Sequence, residues 1–397
     1  MTAMLPLAIS DALRDWLDLG LRWLHVIAAM AWIGTSFYFV LLDQSLRPAK
    51  DPADREAGVG GELWEVHGGG FYYVQKYVIA PRVLPDHLAW FKWEAYTTWL
   101  SGFALMLVLY YLEASSALVK PGDDLEPWVA VAISIGLLVA AWLVYDVLNR
   151  LVTDPRVLWP ALFVLVALAA WGSAELFAPR AAWLQLGGMI GTVMAANVFF
   201  VIIPAHWELI HAKEAGREPD PTPAIQAKQR SIHNNYLTLP VLLTMLAGHF
   251  PFAYGADHAW FVLVALMAIG AWARLFFNLR HTGRTHWWMA VAGLAAFAAV
   301  AVWVERGDEP AAAPSTPGSV ALGRQVFATA GCAGCHTLAD ARATGTVGPD
   351  LDAAEPSAAL VSDRVTNGLG VMPSFAGKLS TAQIAAVAAY VSSTAGK

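Results

Sequence analysis

For its first three quarters the chain alternates long apolar blocks with short polar ones, and then the pattern stops. Eight blocks, at about 16–42, 95–112, 127–149, 157–177, 181–204, 235–250, 258–279 and 286–304, approach or exceed the roughly 20 residues a helix needs to cross a bilayer core. The sixth is the shortest and is closed by "GHFPFAYG", where Gly and Pro end a helix. After Trp303 comes "ERGDEPAAAPSTPGS", polar and rich in Pro, Ala and Ser, a composition that stays extended. The pattern predicts an all-α protein: an eight-helix integral membrane domain over 1–305, a flexible linker over 306–318, and a small helical domain over 319–397.

Composition supports a membrane protein. The 397 residues are 57% hydrophobic and only 14% charged, against roughly 25% charged in soluble domains, and 18 are Trp, which favours the bilayer interface. A net charge of -6 gives no reason to expect a nucleic-acid partner. The first apolar block lacks the basic flank and small-residue cleavage site of a signal peptide, so it is expected to remain as the first membrane helix.

Lysine and arginine placement orients the spans. The loop 43–94 holds Arg47, Lys50, Arg55, Lys76, Arg82 and Lys92. On the same side fall Arg150, Arg156, Lys213, Arg217, Lys228, Arg230, Arg274, Arg280 and Arg284. The other side has Arg14, Lys120, Arg180 and Arg306. The richer side is expected to be cytoplasmic, which puts both termini and the 319–397 domain in the periplasm of a bacterial inner-membrane protein.

"GCAGCHTLAD" (331–340) contains both cysteines of the chain, so no disulfide framework arises. C-x-x-C-H is the attachment signature of c-type cytochromes: Cys332 and Cys335 form thioethers to a covalent haem c, and His336 is the proximal iron ligand. "GPDL" (348–351) places a proline near that histidine, and "GVMPSF" (370–375) offers Met372 as the distal ligand; Met/His ligation raises the potential. Gly323, Phe327 and Tyr390 lie on helices resembling the crossed terminal helices of the cytochrome c fold. Covalent haem attachment is periplasmic in bacteria, in agreement with the charge bias.

Four membrane-domain stretches are unusual: "WLHVIAAMAWIGTSFYFV" in the first block, "GELWEVHGGGFYYVQKY" (61–77), "ANVFFVIIPAHWELI" (196–210) and "AKQRSIHNNYLTLPVLLTMLAGHFP" (227–251). Together with the appended cytochrome c domain they resemble the membrane-bound urate hydroxylases (urate oxidases) with a C-terminal cytochrome c domain. That resemblance implies oxidation of urate and water to 5-hydroxyisourate, with two electrons leaving through haem c to a terminal cytochrome oxidase or a soluble cytochrome c.

Urate arises in the cytoplasm and haem c lies outside, across roughly 30 Å of hydrocarbon. An intermediate redox centre is therefore expected, and histidine-ligated haem b is the natural one. His25, about 13 Å in from the outer end of the first helix, and His249, about 20 Å up the sixth, come to similar depth at 1.5 Å per residue, and are the expected haem b ligands. An inner haem has His67, His206, His211, His233 and His281 to choose from. For urate, the cytoplasmic stretches offer His67 with Tyr72, Gln75 and Lys76, and His233 and Asn234 with Asn235 and Tyr236. His67, His233 and Asn234 are the expected catalytic residues, because histidine suits general-base work, and the others are expected to bind substrate. The plainer alternative makes Gly68–Gly70 a tight turn and His233–Asn235 a helix cap. "GGMIG" (187–191) has the spacing of a helix-packing motif. Two rivals remain: a cytochrome relay subunit without its own substrate, and a haem b enzyme similar to membrane protoporphyrinogen oxidases, which "HVIAAMAWIG" resembles.

Overall fold

The computed structural model describes residues 10–120, 123–256, 258–307, 317–369, 372–376 and 378–397. Residues 308–316, most of the expected linker, lie outside them. Packing divides the chain into two compact units. One comprises the stretches up to Val119, Leu125–His249 and Leu263–Ala298; the other comprises Lys120–Asp124, Phe250–Val262 and Ala299–Lys397.

In chain order the first part contains α1 (Asp11–Ser45), α2 (Pro52–Glu56), β1 (Val59–His67), β2 (Gly70–Tyr77), α3 (Trp93–Met106) and α4 (Ala114–Ala117). Next come α5 (Pro127–Leu151), α6 (Pro155–Leu176), α7 (Pro179–Asn197), α8 (Ile203–Glu214), α9 (Pro221–Ala247), α10 (Pro251–Tyr254), α11 (Ala259–His281) and α12 (Trp287–Gly307). π-Helical turns extend α3 through Leu107–Tyr111 and join α7 to α8 through Val198–Ile202. All eight apolar blocks are helical. Among the described residues six helices are long and apolar enough to cross a membrane: Ala12–Ser45, Pro127–Leu151, Pro155–Leu176, Pro179–Glu214, Ala259–His281 and Trp287–Val304. α3 and α9 do not reach that measure. α9 turns a strip of Arg230, His233, Asn234, Asn235, Thr238 and Thr244 into the protein, which lowers its hydropathy. Thr238 and Thr244 donate to carbonyls of α9 itself, and Arg230, His233, Asn234 and Asn235 reach side chains or carbonyls of neighbouring helices.

The helix starts follow from local chemistry. Pro127, Pro155, Pro179 and Pro221 occupy first turns, where the missing amide hydrogen costs nothing. Asp154 and Asp220 accept from Arg156 N and Thr222 N as N-caps, which satisfies otherwise orphaned donors. α7 is the most enclosed span and packs on α3, α5, α6 and α9. A Cβ at Gly187 would lie 2.1 Å from Thr244 Oγ1, and Gly191 faces Val241. The GxxxG spacing thus brings α7 and α9 together, as expected of small residues at a helix crossing.

The long loop after α1 contains an element that the helical reading did not anticipate, the antiparallel ribbon β1–β2. His67 pairs with Gly70 across a two-residue turn, and Gly68 and Gly69 have φ of 58° and 82°. Both values are what a type I′ hairpin turn requires, and glycine adopts them at no steric cost. The tight-turn reading of the glycines is therefore correct. Its flanks, rich in Trp, Val, Phe and Tyr, had the strand signature as well.

The 319–397 region forms α13 (Pro317–Thr329), the short ribbon β3 (Thr337–Leu338) and β4 (Ala343–Thr344), α14 (Leu351–Ala354), α15 (Ala358–Asn367) and α16 (Thr381–Thr394). α13 crosses α16 so closely that a Cβ at Gly323 would lie 2.0 Å from the Ala386 carbonyl oxygen. Phe327 and Tyr390 meet edge to face at 5.9 Å, and both are fully buried in the core with Val326, Leu338 and Val387.

Candidate functional site

In the C-terminal region, Cys332 and Cys335 flank a single 3-10 turn, Cys332–Gly334. The turn is entered through Gly331 at φ 84° and closed by the His336 amide donating to the Cys332 carbonyl at 3.1 Å. His336 Nδ1 hydrogen-bonds the Pro349 carbonyl at 3.0 Å. A carbonyl can only accept, so Nδ1 carries the proton and Nε2 is left as the metal-binding nitrogen. Gly348 lies under that ring: an added Cβ would sit 2.5 Å from Cε1 and 2.7 Å from Nδ1. Leu369 and Met372 exchange two backbone hydrogen bonds of 3.0 Å, and the Met372 side chain packs on the domain core. Two accessible thiols, an oriented imidazole and a thioether form the donor set of a covalent haem c, and the residues present fit it.

Tyr390 closes this domain from behind. Its hydroxyl donates to Asp340 at 2.6 Å, and Arg324 pairs with the same carboxylate at 2.9 Å. Burial, reinforced by the hydrogen bond to Asp340, pushes the phenol up to about 12.

In the membrane unit, the residues expected to bind urate fall into two sets. The hairpin set is tied to its own surroundings. Gln75 donates to Asp54 at 2.8 Å, Tyr73 donates to Glu62 at 2.6 Å, and Lys76 pairs with Asp43. The Glu62 hydrogen bond raises the Tyr73 phenol above its ordinary value. His67 and Tyr72 are exposed near the turn. Among the described residues no hydrogen bond or ion pair joins the hairpin tip to the α9 set.

The α9 set is buried but fans outward, as three consecutive helical residues must at 100° apart. His233 Nδ1 meets the Tyr145 hydroxyl of α5 at 2.7 Å, with Trp159 of α6 edge-on at 4.8 Å. Asn234 donates to the Met194 carbonyl at 3.0 Å and accepts from Asn197 at 2.9 Å, both on α7. Asn235 accepts from Arg274 Nε of α11. These residues lie inside α9, not at its N-cap, which is Asp220. Tyr236 meets Trp159 at 5.3 Å. One turn before His233, Arg230 pairs with Asp146 at 2.7 Å and covers the Tyr145 ring at 4.9 Å. Sequence reasoning missed Arg274, Asn278, Asn197 and Tyr145. The only available signal was a charged or amide residue inside an apolar block.

His25 is wedged between α1 and α3. Its Nδ1 lies 3.0 Å from the Thr98 carbonyl and 3.1 Å from Ser101 Oγ, and Gly102 leaves the room, since a Cβ there would stand 2.9 Å from Cε1. Bonding Nδ1 to a backbone carbonyl leaves Nε2 as the ligand, as at His336, so His25 fits a haem ligand. His249 is exposed two residues beyond α9, because Gly248 and Pro251 end the helix that was expected to continue through it. His206 lies 6.3 Å from Trp90, and His211 stacks on Trp207 at 5.3 Å.

Residues 11–305 match the family described as urate oxidase N-terminal. The chain belongs to that family. Residues 318–391 match cytochrome c oxidase, cbb3-type, subunit III. The cytochrome region is similar to cytochrome c6 of Picosynechococcus sp., 43% identical over an alignment of 94 residues, and the match covers 21% of this chain and 79% of that protein. It is also similar to the c-type cytochrome SorU of Sinorhizobium meliloti in its crystal structure. That match is 49% identical, covers 21% of this chain and 97% of the other, and has a TM-score of 0.20. The chain is thus a urate oxidase-family oxidoreductase whose membrane domain continues into a cytochrome c domain that supports a covalent haem c.

Proposed function

We propose that the protein is a membrane-bound urate hydroxylase: urate and water give 5-hydroxyisourate, two protons and two electrons. The observation that carries the reading is the union, in one chain, of a urate oxidase-family membrane region with a cytochrome c domain. In that domain Cys332, Cys335, His336 and Met372 hold haem c. The haem, when bound, accepts electrons one at a time. His336 is fixed by Pro349 in the tautomer that ligates iron, and Gly348, having no Cβ, leaves its ring the space it occupies. The electrons then pass to a terminal cytochrome oxidase or a soluble cytochrome c.

In this reading the membrane region, 1–305, lies in a bacterial inner membrane with its lysine- and arginine-rich loops in the cytoplasm, and residues 319–397 lie in the periplasm. His25 is a haem b ligand between the two faces, and His249 is its partner. The orientation of His25 by Thr98 supports the first assignment; the second rests on the sequence pattern, since α9 ends at Ala247 and His249 lies exposed beyond it. One iron per chain, all of it covalently bound, overturns the haem b assignment.

The deciding experiment adds urate to the purified full chain without oxygen and follows urate absorbance and haem c reduction together. The expected result is urate loss with haem reduction at two electrons per urate. Haem c that stays oxidised with excess urate refutes the function.

A further inference from the structure

Arg274 differs from every other buried cation in the membrane unit. It is 4% exposed, and among the described residues no carboxylate pairs with it. Arg230, the comparable buried arginine, has Asp146. Arg274 instead has a neutral amide on Nε, from Asn235, and the Phe37 ring 3.8 Å from its guanidinium. Its Nη2 makes no hydrogen bond. One turn further along α11, Asn278 is 5% exposed and its Oδ1 is likewise unpartnered. A buried cation without an anion is costly, and an unmet donor and an unmet acceptor one turn apart on α11 add to the cost. Such an arrangement is stable once a ligand supplies what is missing.

The missing chemistry is specific. Arg274 needs an anionic acceptor, and Asn278 Oδ1 needs an N–H or O–H donor. Carboxylates offer acceptors only, and a partly protonated phosphate offers its donor from a tetrahedral group rather than along a planar edge. A planar heterocyclic imide anion offers both on one edge, and the urate monoanion is of that kind. We propose that Arg274 and Asn278 of α11, with Asn235 of α9 and Phe37 of α1 fixing the guanidinium, form the binding site for the urate anion. The proposal rests on the function given above and moves the substrate from the hairpin and His233 to the opposite flank of α9.

The neighbouring chain indicates the way in. Arg274 lies seven residues, about 10 Å, from the α11 end at His281. Asn235 lies the same distance from Lys228 on the same face of α9, since seven residues make nearly two turns. At that outer level Asp43, at the end of α1, pairs with both Lys228 of α9 and Lys76 of β2. Lys76 and Lys228, both paired with Asp43, leave one net positive charge at that level to attract an anion. Entry is from the hairpin end, so Lys76 serves the substrate at the entrance.

The test is equilibrium dialysis of urate against the full-length haem-loaded protein in detergent, together with KM and kcat for haem c reduction. Arg274→Gln is expected to weaken urate binding and raise KM about ten- to hundredfold, the range for one hydrogen bond to a charge, with a smaller effect on kcat. Arg274→Lys is expected to recover part of the loss, and Asn278→Leu to weaken binding severalfold. Urate affinity within twofold of wild type in Arg274→Gln overturns the site. If that variant aggregates on size exclusion, unchanged affinity in Asn278→Leu overturns it. Wild type that binds urate through Arg274 yet leaves haem c oxidised refutes the hydroxylase function and keeps the site. Wild type that binds no urate refutes the site.

Discussion

Gly348→Ala asks how tightly the proximal histidine is held. No left-handed backbone angle occurs at Gly348, so alanine is tolerated there apart from the space its Cβ fills. That Cβ would stand 2.5 Å from Cε1, 2.7 Å from Nδ1 and 2.9 Å from Nε2 of His336, whereas ordinary carbon contacts are about 3.5–4.0 Å. The ring must therefore move by about 1 Å. Its Nδ1–O distance to Pro349 is 3.0 Å, and a movement of that size takes it past hydrogen-bonding range. A bond of this kind contributes about 0.5–1.5 kcal/mol. Donation from Nδ1 makes the imidazole more electron-rich and favours ferric iron, so its loss raises the potential. At 59 mV per tenfold for one electron, the rise is about 20–65 mV. Potentiometric titration of the haem c in the full chain measures it, with Gly334→Ala as the control, since nothing lies within 4 Å of a Cβ there. A potential within about 10 mV of wild type refutes the reasoning.

Two further outcomes concern the stability of the cytochrome domain. Gly323→Ala drives a Cβ to 2.0 Å from the Ala386 backbone oxygen, which cannot rotate away; the cost is about 1–3 kcal/mol, read as a lower denaturant midpoint by haem absorbance, and an unchanged midpoint overturns the packing argument. Tyr390 keeps its proton up to about 12 when folded, against an ordinary 10.0, so its contribution is complete below pH 10 and is lost as pH rises from about 10 to about 12, amounting to about 2–3 kcal/mol. Tyr390→Phe removes this alkaline loss, so denaturation midpoints at pH 8 and pH 11 should converge in the variant; if they stay as far apart as in wild type, another group titrates.

The haem c site was legible because its chemistry is local. The spacing of Cys332, Cys335 and His336 fits one turn of chain, so attachment and the proximal ligand are local, while the distal Met372 was legible from its own short motif. The apolar helices were legible because a bilayer demands long apolar blocks: all eight blocks are helical, and among the described residues six of the eight are long and apolar enough to cross a membrane. The hairpin was legible in principle: paired positive φ angles at Gly68 and Gly69 between aromatic-rich runs is local information too. What remained hidden was partnership across helices. Sequence gives His233, Asn234 and Asn235 as one polar patch, yet the 100° step of the helix sends them to α5, α7 and α11. It also gives Arg274 as one more cytoplasmic-side charge. Only the tertiary structure decides that no carboxylate among the described residues meets it, because whether a buried charge has a counter-ion depends on which helices adjoin. The sequence by itself determined that the chain carries a covalent haem c and that its first three quarters are built of long apolar helices, since both are properties of short contiguous stretches. The folded arrangement decided where an anion can be bound, since that depends on residues from α1, α9 and α11 converging on one buried guanidinium.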